Sequence, residues 1–397
     1  MKIGIEVQRL FRRKKHGMEI VALEIIRQLQ KTDKKNEYIL FAKNDEDKDC
    51  ITESKKFHIN IPSNSCFPVW EQLHLLKAVK KEKPDILHCT ANTAPLFCKI
   101  PMVITIHDVI YLESINFSGT SYQNFGNLYR RFIVPKVAKK AAMILTVSEY
   151  EKKVIVDRLN IDEDKVRVVY NGVNKQLKPI TNMAKLSEFR KKYNLPEQFL
   201  LHFANTAPKK NTIGVLSAYK LYHAGVSNPL PLVLTDCTGN YIHGLLKKLN
   251  APGLIDNIQI LDYVPFSSIP CLYNLATVFI YPSHRESFGM PLIEAMACGV
   301  PVITSNTSAL PEIAGGAACL VDPKNPHEIS DQIQRLLTDE RFYKERKDKG
   351  FRNAERFSWE KAADKIESVY WEIRHVNKSL EECNNLRKNM HKYKTTF

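Results

Sequence analysis

The sequence contains no apolar run long enough to cross a bilayer, and its first residues, MKIGIEVQRLF, become charged too early for a signal peptide. Its nine cysteines are scattered, with no CxxC pair and no other metal-binding spacing. Several of them lie in apolar stretches, so we expect reduced thiols in the core rather than disulfides. These absences argue against a membrane-spanning or secreted protein and predict a cytoplasmic one.

Two nucleotide-related motifs are also missing. The stretch from Ile5 to Gly17, which follows the first predicted strand, has no GxGxxG, and this argues against a Rossmann dehydrogenase. No nucleic-acid-binding motif accompanies the formal net charge of +15, so we expect no nucleic acid partner. The excess of lysine and arginine fits two alternatives that the sequence leaves open. One is a solvated surface, and the other is peripheral contact with the inner face of an anionic membrane.

What is present describes two globular α/β domains. The 397 residues exceed one ordinary domain, and a content of 44% hydrophobic and 25% charged residues is typical of globular proteins. Strand and helix signals alternate through residues 1–175 and again through 195–357, and the polar segment Asn174–Asn194 is predicted to be a linker. Residues 358–397 are predicted to form a helix with one apolar face, followed by a basic tail that frays from Asn377.

The most informative stretch runs from Tyr281 to Asn306, YPSHRESFGMPLIEAMACGVPVITSN. A buried strand ends at Tyr281, a polar turn follows, a helix begins at Pro291 and ends at Gly299, and a second strand comes next. Proline suits the first helical turn because it has no N–H to leave unpaired, and glycine suits a left-handed residue after the helix. The stretch is therefore predicted to form one βαβ unit of a parallel sheet.

Two glutamates in this stretch, Glu286 in the turn and Glu294 in the helix, are separated by seven residues. The start of a helix at the carboxyl end of a parallel strand is an anion site, and such crevices bind nucleotides. A carboxylate would repel a phosphate, so we expect both glutamates to accept hydrogen bonds from the hydroxyls of a ribose or a hexose. The alternative is that Glu286 complements the helix dipole and Glu294 is solvated. The apolar neighbours of Glu294 favour the first interpretation because they predict a largely buried helix.

The same stretch resembles the signature of the family 4 retaining glycosyltransferases (glycosyl transferases group 1), in which seven residues separate two glutamates in a segment like ESFGMPLIEAMACGVPVI. The phrases TVSEY and VVYNGVN are also similar to the family's, and Ser287 stands where the family commonly has glycine. The resemblance implies the GT-B fold: two facing Rossmann-like domains with parallel sheets, and a C-terminal helix that crosses back to the first. It further implies an acceptor-side first domain, a second domain that binds a nucleotide-diphosphate sugar, and no metal or other cofactor.

The resemblance implies catalytic roles for His107, Lys210 and Glu286. In the family, a basic pair corresponding to Lys209 and Lys210 neutralises the donor diphosphate, although arginine is usual at the position of Lys209 and lysine lacks its bidentate fork. Glu286 is expected to contact the donor sugar and Glu294 the ribose, and His107 ends a predicted strand near that sugar. Further donor-binding positions implied by the resemblance are Gly17, Asn205, Tyr263, Val264, Ser287, Phe288 and Gly289.

Two other interpretations stay open. The first interpretation is a metal-dependent glycosyltransferase of another fold. It depends on the run Asp45–Asp49, which contains DxD patterns that elsewhere hold a metal on a nucleotide diphosphate. The polar flanks of the run favour a solvated loop instead. A non-catalytic nucleotide-sugar-binding relative is the second, and we would expect it to have lost Glu286, Glu294 or Lys210, all of which are present.

The sequence does not name the substrates. GDP-mannose and UDP-hexoses are both admissible donors, and the saccharide acceptor is either soluble or lipid-linked. The basic surface favours a lipid-linked acceptor in bacterial surface-glycan biosynthesis, and the aromatic and basic segment from Phe117 to Lys140 fits the acceptor side or the membrane side. A further helix, predicted from Val69 to Lys83, carries an apolar stripe expected in the core: Trp70, Leu73, Leu76 and Val79.

Overall fold

The computed structural model describes residues 1–113, 121–261 and 264–394, with only the backbone given for 121–123 and 380–394. It divides the chain into two compact units, one formed by Met1–Tyr170 with Trp359–Phe397 and the other by Asn171–Ser358. Each unit has a parallel sheet and a hydrophobic core of its own. The predicted α/β class with two Rossmann-like sheets is therefore confirmed.

Within the described residues, the first unit contains a seven-stranded sheet in the order β3-β2-β1-β4-β5-β6-β7, with every neighbouring pair parallel. The strands are short apolar runs, as expected for a parallel sheet that helices cover on both faces. The order of the strands reverses between β1 and β4, where ligand sites of such sheets form at the carboxyl ends. The strands are β1 (Lys2–Glu6), β2 (Glu37–Phe41), β3 (Phe57–Asn60), β4 (Ile86–Cys89), β5 (Met102–Thr105), β6 (Met143–Thr146) and β7 (Val166–Val168).

The helices of the first unit connect these strands. The first of them begins after His16, whose backbone N–H donates to the Glu19 carboxylate at 3.0 Å and so satisfies one amide at the helix start. The helices before the second unit are α1 (Gly17–Thr32), α2 (Phe67–Val69), α3 (Leu75–Glu82), α4 (Ile110–Glu113), α5 (Ser121–Lys140) and α6 (Glu149–Leu159). Short 3₁₀ turns lie at Lys48–Cys50 and Glu163–Lys165.

The apolar stripe predicted on the helix before β4 is partly wrong. Between α2 and α3 the chain stays helical but makes a π turn over Trp70–His74. A π turn adds a residue to the turn and rotates everything after it. Trp70, Leu75 and Val79 are therefore buried, whereas Leu73 remains 55% exposed.

The second unit contains a six-stranded sheet within the described residues, in the order β10-β9-β8-β11-β12-β13, with every neighbouring pair parallel. Its order reverses between β8 and β11, so these two strands mark a second position for a ligand site. The strands are β8 (Leu200–Phe203), β9 (Leu232–Thr235), β10 (Ile258–Ile260), β11 (Val278–Tyr281), β12 (Val302–Ser305) and β13 (Cys319–Val321).

The helices of the second unit begin inside the segment that was predicted to be a linker. Its second half forms a helix that starts after Asn182, whose side chain accepts from the Lys185 N–H at 3.1 Å, and that buries Leu186 and Phe189. The helices are α7 (Met183–Tyr193), α8 (Thr212–Gly225), α9 (Gly239–Lys248), α10 (Ile269–Leu275), α11 (Met290–Ala297), α12 (Leu310–Ala314), α13 (Pro326–Thr338) and α14 (Glu340–Ala354). Its 3₁₀ turns are Pro208–Lys210, Pro252–Asn257 and Phe266–Ser268.

The last helix, α15 (Trp359–Lys394), returns to the first unit. Tyr370 contacts the buried His88 of β4, with 2.6 Å between its hydroxyl and Nδ1, and Glu372 pairs with Arg167 at 3.3 Å. The predicted apolar face is buried: Ala362, Ile366, Val369 and Ile373. The predicted return of this helix is thus confirmed, but its backbone stays helical to Lys394 instead of fraying from Asn377.

Two observations concern the chain as a whole, within the residues that the structure describes. We find no membrane-spanning candidate among the helices of the described residues, because none joins sufficient length to sufficient apolar character. The eight cysteines whose side chains are described are all free thiols, and several of them are buried: Cys89, Cys271, Cys298 and Cys319.

Candidate functional site

The strongest candidate site lies where the strand order of the second sheet reverses. The loops that follow β8 and β11 leave the same edge of the sheet side by side, since these strands are parallel neighbours. The first loop carries Lys209 and Lys210, and the second carries Glu286 and leads into α11. Side chains that are 76 positions apart in the sequence, Lys210 and Glu286, meet here.

Lys210 and Glu286 form the ion pair at the centre of this site. The Lys210 ammonium lies 2.6 Å from Oε1 of Glu286 and 2.9 Å from the hydroxyl of Tyr281, the last residue of β11. Burial alone would raise the pKa of Glu286, but the ammonium groups of Lys210 and Lys209 hold it below its ordinary value. Glu286 is therefore an ionised, acceptor-only group, and Lys210 is held in one position by two partners.

Asn211 fixes the loop that carries the two lysines, and sequence reasoning had given it no separate role. It is buried in the left-handed region at φ +59°, and its side-chain amide donates to the carbonyl of Pro282 at 3.0 Å and to that of Pro323 at 2.7 Å. These bonds tie the loop after β8 to the loops after β11 and β13. The His284 N–H also donates to the carbonyl of Lys209 at 2.7 Å. The lysine loop is consequently a rigid part of the site.

Lys209 and Asn205 occupy the outer part of the same loop. Both side chains are exposed, and the Asn205 amide oxygen accepts from the Ala207 N–H at 2.9 Å. Lys209 is near enough to Glu286 to lower its pKa, but no described contact fixes its ammonium. The two lysines thus differ in the structure, because Lys210 is ordered by partners and Lys209 is a solvated charge.

Glu294 lies inside α11, one of the most buried helices of the unit, as its apolar neighbours predict. The residue is 8% exposed, and its carboxyl accepts from the Tyr273 hydroxyl at 3.2 Å. No cation pairs with it among the described residues. Burial raises the pKa of Glu294 to about 7, against the opposing effect of the Tyr273 hydrogen bond. The two glutamates therefore titrate differently, with Glu286 ionised and Glu294 near its midpoint at neutral pH.

The turn before α11 places the start of that helix shortly after Glu286. Gly289 has φ +95° and Met290 starts the helix, so Pro291 takes the second helical position, one residue later than predicted. Phe288 is 4% exposed and packs edge-on against Phe357, with ring centroids 5.6 Å apart. This packing fixes the turn. At the start of α11, Pro291 has no N–H and the Leu292 N–H donates to the Gly289 carbonyl at 3.0 Å.

Gly289→Ala should lower the free energy of unfolding by about 1–2 kcal/mol, the cost of a left-handed non-glycine residue. A methyl group there would also lie 2.7 Å from Cδ2 of Leu310, so the turn must shift. Urea unfolding would measure the change. Gly239→Ala is the matched control, because a Cβ at the start of α9 meets nothing within 4 Å. Equal stability of the two variants would contradict the strain argument.

In the first unit, the predicted residue His107 follows β5 and is buried. Its Nε2 lies 2.9 Å from the Thr90 carbonyl, and its backbone N–H donates to Oδ1 of Asn92 at 2.7 Å. Burial lowers the pKa of His107, although Thr90, Asp108 and Glu19 oppose the shift. The ring is therefore a neutral group in a fixed orientation. Its catalytic role stays a prediction.

For the remaining predicted donor-binding residues, the positions that the structure gives do not by themselves indicate a role. Gly17 is the first residue of α1, and a Cβ there would meet nothing within 4 Å, so nothing in the protein itself requires glycine. Val264 is buried, and Tyr263 lies outside the described residues. Ser287 precedes Phe288 in the turn already described.

The acidic run considered as a metal site has partners within the protein. Asp47 forms an ion pair with Lys15, and Asp45 accepts from the Glu46 N–H at 2.9 Å. Nowhere in the described residues do three or more histidine, cysteine or acidic side chains gather as metal ligands would. The geometry of the run is that of a surface loop.

Sequence reasoning missed a pocket at the point where the first sheet reverses. It lies at the carboxyl ends of β1 and β4 and is lined by polar and charged groups, among them Glu6, Gln8, Arg9, Glu19, Thr90, Thr93 and Arg130. Burial raises the pKa of Glu6 to about 7, with Glu71 adding to the rise. A buried carboxylic acid at the end of an otherwise apolar strand, KIGIE, was the available signal.

Comparison with known proteins gives two family matches. The model described as "Glycosyl transferases group 1" matches residues 185–371, and the model described as "Glycosyltransferase Family 4" matches residues 16–177. Together they cover every strand of the two sheets except β1, and they include the segment with the two glutamates.

Among curated relatives, O-antigen chain mannosyltransferase B of Escherichia coli is 33% identical over 232 residues, which are 58% of this chain and 60% of that protein. Serotype-specific mannosyltransferase WbdA of Escherichia coli is 29% identical over 240 residues, 59% of this chain and 29% of that protein. The matches thus span less than two thirds of the length of either relative.

Among solved structures, that of HepE from Anabaena in complex with UDP-glucose superposes with a TM-score of 0.72 at 19% identity. The superposition covers 94% of this chain and 100% of the HepE chain. At this identity the likeness shows the fold alone, and the fold is the GT-B type that the resemblance implied.

Proposed function

Because the chain belongs to the group 1 and family 4 glycosyl transferases, we propose that it transfers a hexose from a nucleotide-diphosphate sugar to a saccharide acceptor with retention of anomeric configuration. The ion pair between Lys210 and Glu286, at the reversal point of the second sheet and beside the start of α11, is the observation that carries this proposal. Two relatives bear the name mannosyltransferase, one of them for the O-antigen chain, which favours GDP-mannose and bacterial surface-glycan synthesis. A UDP-hexose is the alternative donor.

The proposed chemistry begins with departure of the nucleoside diphosphate. Negative charge grows on the β-phosphate as its bond to the anomeric carbon breaks, and fixed positive groups lower the energy of that state. Lys210 suits this task because Glu286 and Tyr281 already orient its ammonium. Lys209 and the positive end of the α11 helix dipole add to the same field.

The two glutamates would then bind the neutral parts of the donor. Glu286 is ionised and so can accept hydrogen bonds from sugar hydroxyls next to the cation that holds the phosphate. Glu294, further along α11, would accept from the ribose hydroxyls. His107 of the first unit is proposed to contact the donor sugar as a neutral donor or acceptor.

Retention requires the acceptor to attack from the face that the diphosphate leaves. A covalent route through Glu286 is chemically conceivable, since carboxylates act as nucleophiles in glycoside hydrolysis. We favour the direct route, because Glu286 is held in an ion pair with Lys210 at 2.6 Å. In the direct route the leaving phosphate oxygen takes the proton of the acceptor hydroxyl.

The donor is tested by thermal stabilisation of the purified full chain with GDP, UDP, ADP and NAD, each with and without EDTA. A ligand that binds only the folded state raises the midpoint. We expect GDP to stabilise most and EDTA to change nothing. Stabilisation that EDTA abolishes would favour the DxD alternative, and stabilisation by NAD alone would overturn the proposal.

Retention needs a separate measurement. The product made from the donor that stabilises the chain is analysed by nuclear magnetic resonance, whose coupling constants report the anomeric configuration. We expect the configuration of the donor to be kept. An inverted product would contradict the proposed mechanism while leaving the transferase activity intact.

We also propose that α5 contacts an anionic membrane. Phe125, Leu128 and Phe132 recur along one face of this helix and are 55%, 63% and 59% exposed. Lysines accompany them, and the Lys136 ammonium lies 3.3 Å from the centroid of the Phe132 ring. An apolar stripe bordered by cations is the pattern of a helix that lies in a membrane interface.

Replacing all three apolar residues of α5 by serine should reduce binding to vesicles rich in phosphatidylglycerol about tenfold or more, because each removes apolar surface that the interface would bury. Vesicle co-sedimentation of the full chain measures this. Met183→Ser with Phe266→Ser is the matched control, since both residues are exposed apolar groups of the second unit. Equal binding by all variants would refute the proposal. So would binding of the unaltered chain to neutral phosphatidylcholine vesicles that equals its binding to the vesicles rich in phosphatidylglycerol.

A further inference from the structure

A second pocket of the first unit lies at the carboxyl ends of three neighbouring strands, β1, β2 and β3. The loops after these strands line a cavity of about 380 Å³, and the lining residues include Gln8, Arg9, Arg12, Lys43, Asp45 and Phe67. Hydrogen bonds join the loops: the Lys43 N–H donates to the Gln8 carbonyl at 3.3 Å, and the Asn44 N–H donates to the side-chain Oδ1 of Asn64 at 3.2 Å. The pocket is therefore a built part of the sheet edge.

The lining of this pocket is positively charged. It carries three cations, Arg9, Arg12 and Lys43, and one carboxylate, Asp45. Lys43 donates to the carbonyl of Ser65 at 2.6 Å, a neutral partner, and Arg9 is 3.9 Å from Glu19, at the limit of an ion pair. Neither Arg12 nor Lys43 is paired with a carboxylate among the described residues. The excess positive charge is thus left for a ligand.

An unsatisfied hydrogen-bond donor belongs to Gln8, one of the residues that line this pocket. Gln8 is 7% exposed, and its buried Nε2 has no partner within the described part of the chain. A buried amide donor without a partner costs stability, so such a group is expected to serve binding. Donors of this kind beside two guanidinium groups match the oxygens of a phosphate or a diphosphate.

The pocket also adjoins the polar pocket at the reversal point of the first sheet. Gln8, Arg9 and Phe67 line both pockets. The polar pocket at the reversal point offers carboxyl and hydroxyl groups that can bind sugar hydroxyls, such as those of Glu6 and Thr90. The pocket at the ends of β1, β2 and β3 offers cations. One ligand that occupied both pockets would therefore have a sugar next to an anionic group. Phe67, with Arg9 5.5 Å from its ring centroid, lies between them.

We propose that this cationic pocket, formed by Gln8, Arg9, Arg12 and Lys43, binds a phosphate or diphosphate group attached to the acceptor saccharide. The inference rests on the proposed function, and it names the class of acceptor as a sugar phosphate or sugar diphosphate. A soluble sugar diphosphate and a lipid-linked one share this group. The donor diphosphate is assigned to Lys210 in the second unit, so the two anion sites are expected to respond to different substitutions.

The first test is binding of inorganic pyrophosphate to the full chain, measured by titration calorimetry in a Lys210→Met background that weakens the donor site. Adding Arg12→Gln and Lys43→Gln should weaken the remaining binding about tenfold or more, the loss expected for charge-assisted hydrogen bonds. Arg13→Gln with Lys48→Gln removes the same charge from exposed neighbours that do not line the pocket. Equal binding by the two double variants would overturn the proposal.

The second test is kinetic and uses an otherwise unaltered enzyme. Arg12→Gln with Lys43→Gln should raise the acceptor KM about tenfold for a saccharide diphosphate, and leave the donor KM and the KM of the same saccharide with a neutral aglycone unchanged. A rise in the donor KM instead would reassign the pocket to the donor and refute the inference. The acceptor KM is measured both for a soluble saccharide diphosphate and for a saccharide linked to polyprenyl diphosphate in vesicles, which distinguishes a soluble acceptor from a lipid-linked one. A rise in the KM of either acceptor in the double variant supports the proposed site.

The two failures are distinguishable. If no donor supports transfer to any acceptor, the proposed function fails, whereas the pyrophosphate titration still reports on the pocket. If transfer occurs but the Arg12 and Lys43 substitutions change neither pyrophosphate binding nor the acceptor KM, the proposed function stands and the anion site is refuted.

Discussion

Lys210→Met is expected to reduce kcat by about 10²–10³-fold, the loss seen when one fixed group that stabilises transition-state charge is removed. The ammonium of Lys210 is held in one orientation by Glu286 and Tyr281. The substitution therefore removes a positive charge that is already in position before the reaction. Steady-state kinetics with saturating donor and acceptor measure the effect. Lys220→Met, an exposed lysine on α8, is the charge-matched control and should keep its activity.

Loss of folding must be separated from loss of catalysis in this variant. Without Lys210, the buried carboxylate of Glu286 loses its ion-pair partner, which should cost about 1–3 kcal/mol of unfolding free energy. Adding Glu286→Gln removes that charge, so the double variant should regain stability in urea unfolding and still lack activity. Activity of Lys210→Met within about threefold of the unaltered enzyme would show that this lysine does not stabilise the leaving group.

Glu294 gives the second large effect, a dependence of stability on pH. Its pKa is raised by burial from an ordinary value of 4.5 to about 7. Between these two values the folded chain keeps a proton that the unfolded chain releases, so the free energy of unfolding falls as pH rises. The fall amounts to about 3 kcal/mol, from about 1.4 kcal/mol for each pH unit, and it ends above pH 7 where both states are ionised.

Glu6 should add a similar fall, since burial also raises its pKa to about 7. The share of Glu294 is therefore isolated by comparing the chain with Glu294→Gln, which keeps the shape of the side chain but does not titrate. Urea unfolding from pH 4.5 to pH 8 should show a shallower slope for the variant. Identical slopes would mean that Glu294 is already ionised in the folded protein at neutral pH.

The same titration links Glu294 to donor binding. If the ionised carboxylate accepts the ribose hydroxyls, affinity for a nucleotide sugar should rise about tenfold from pH 6 to pH 8, with release of a proton on binding. Calorimetry in two buffers of different ionisation enthalpy measures that proton. Glu294→Gln should bind weakly with no pH dependence, and an unchanged pH profile would rule out the ribose contact.

Local signals in the sequence were enough for most elements of the fold. Short apolar runs gave the parallel strands, and the segment around Glu286 and Glu294 gave the turn and α11, because these depend on neighbours a few positions away. The spacing of the apolar face of α15 also predicted its burial. The same spacing rule mispredicted the apolar stripe of the helix before β4. The rule assumes a regular helix with 3.6 residues per turn, whereas the chain makes a π turn at Trp70–His74.

Contacts between distant segments could not be predicted in this way. Asn211 was visible only as the residue after two lysines, and its bonds to Pro282 and Pro323 depend on how three loops meet at one sheet edge. The helix α7 inside the predicted linker is stabilised by burial of Leu186 and Phe189. The polar composition of the segment does not predict this burial. The strand KIGIE shows a carboxylic acid at its end, but the burial of Glu6 depends on packing between segments.

The sequence by itself determined the two-sheet α/β architecture, the family, and the residue types available for binding a nucleotide sugar, because periodicity, turn chemistry and a local signature carry that information. The tertiary structure alone decided that Lys210 pairs with Glu286, that Glu294 is buried with a pKa of about 7, and that Gln8, Arg12 and Lys43 share a pocket. The physical reason is that charge and hydrogen-bonding depend on which groups meet in space and on how much water is excluded. These quantities are fixed by packing between segments that are far apart in the chain.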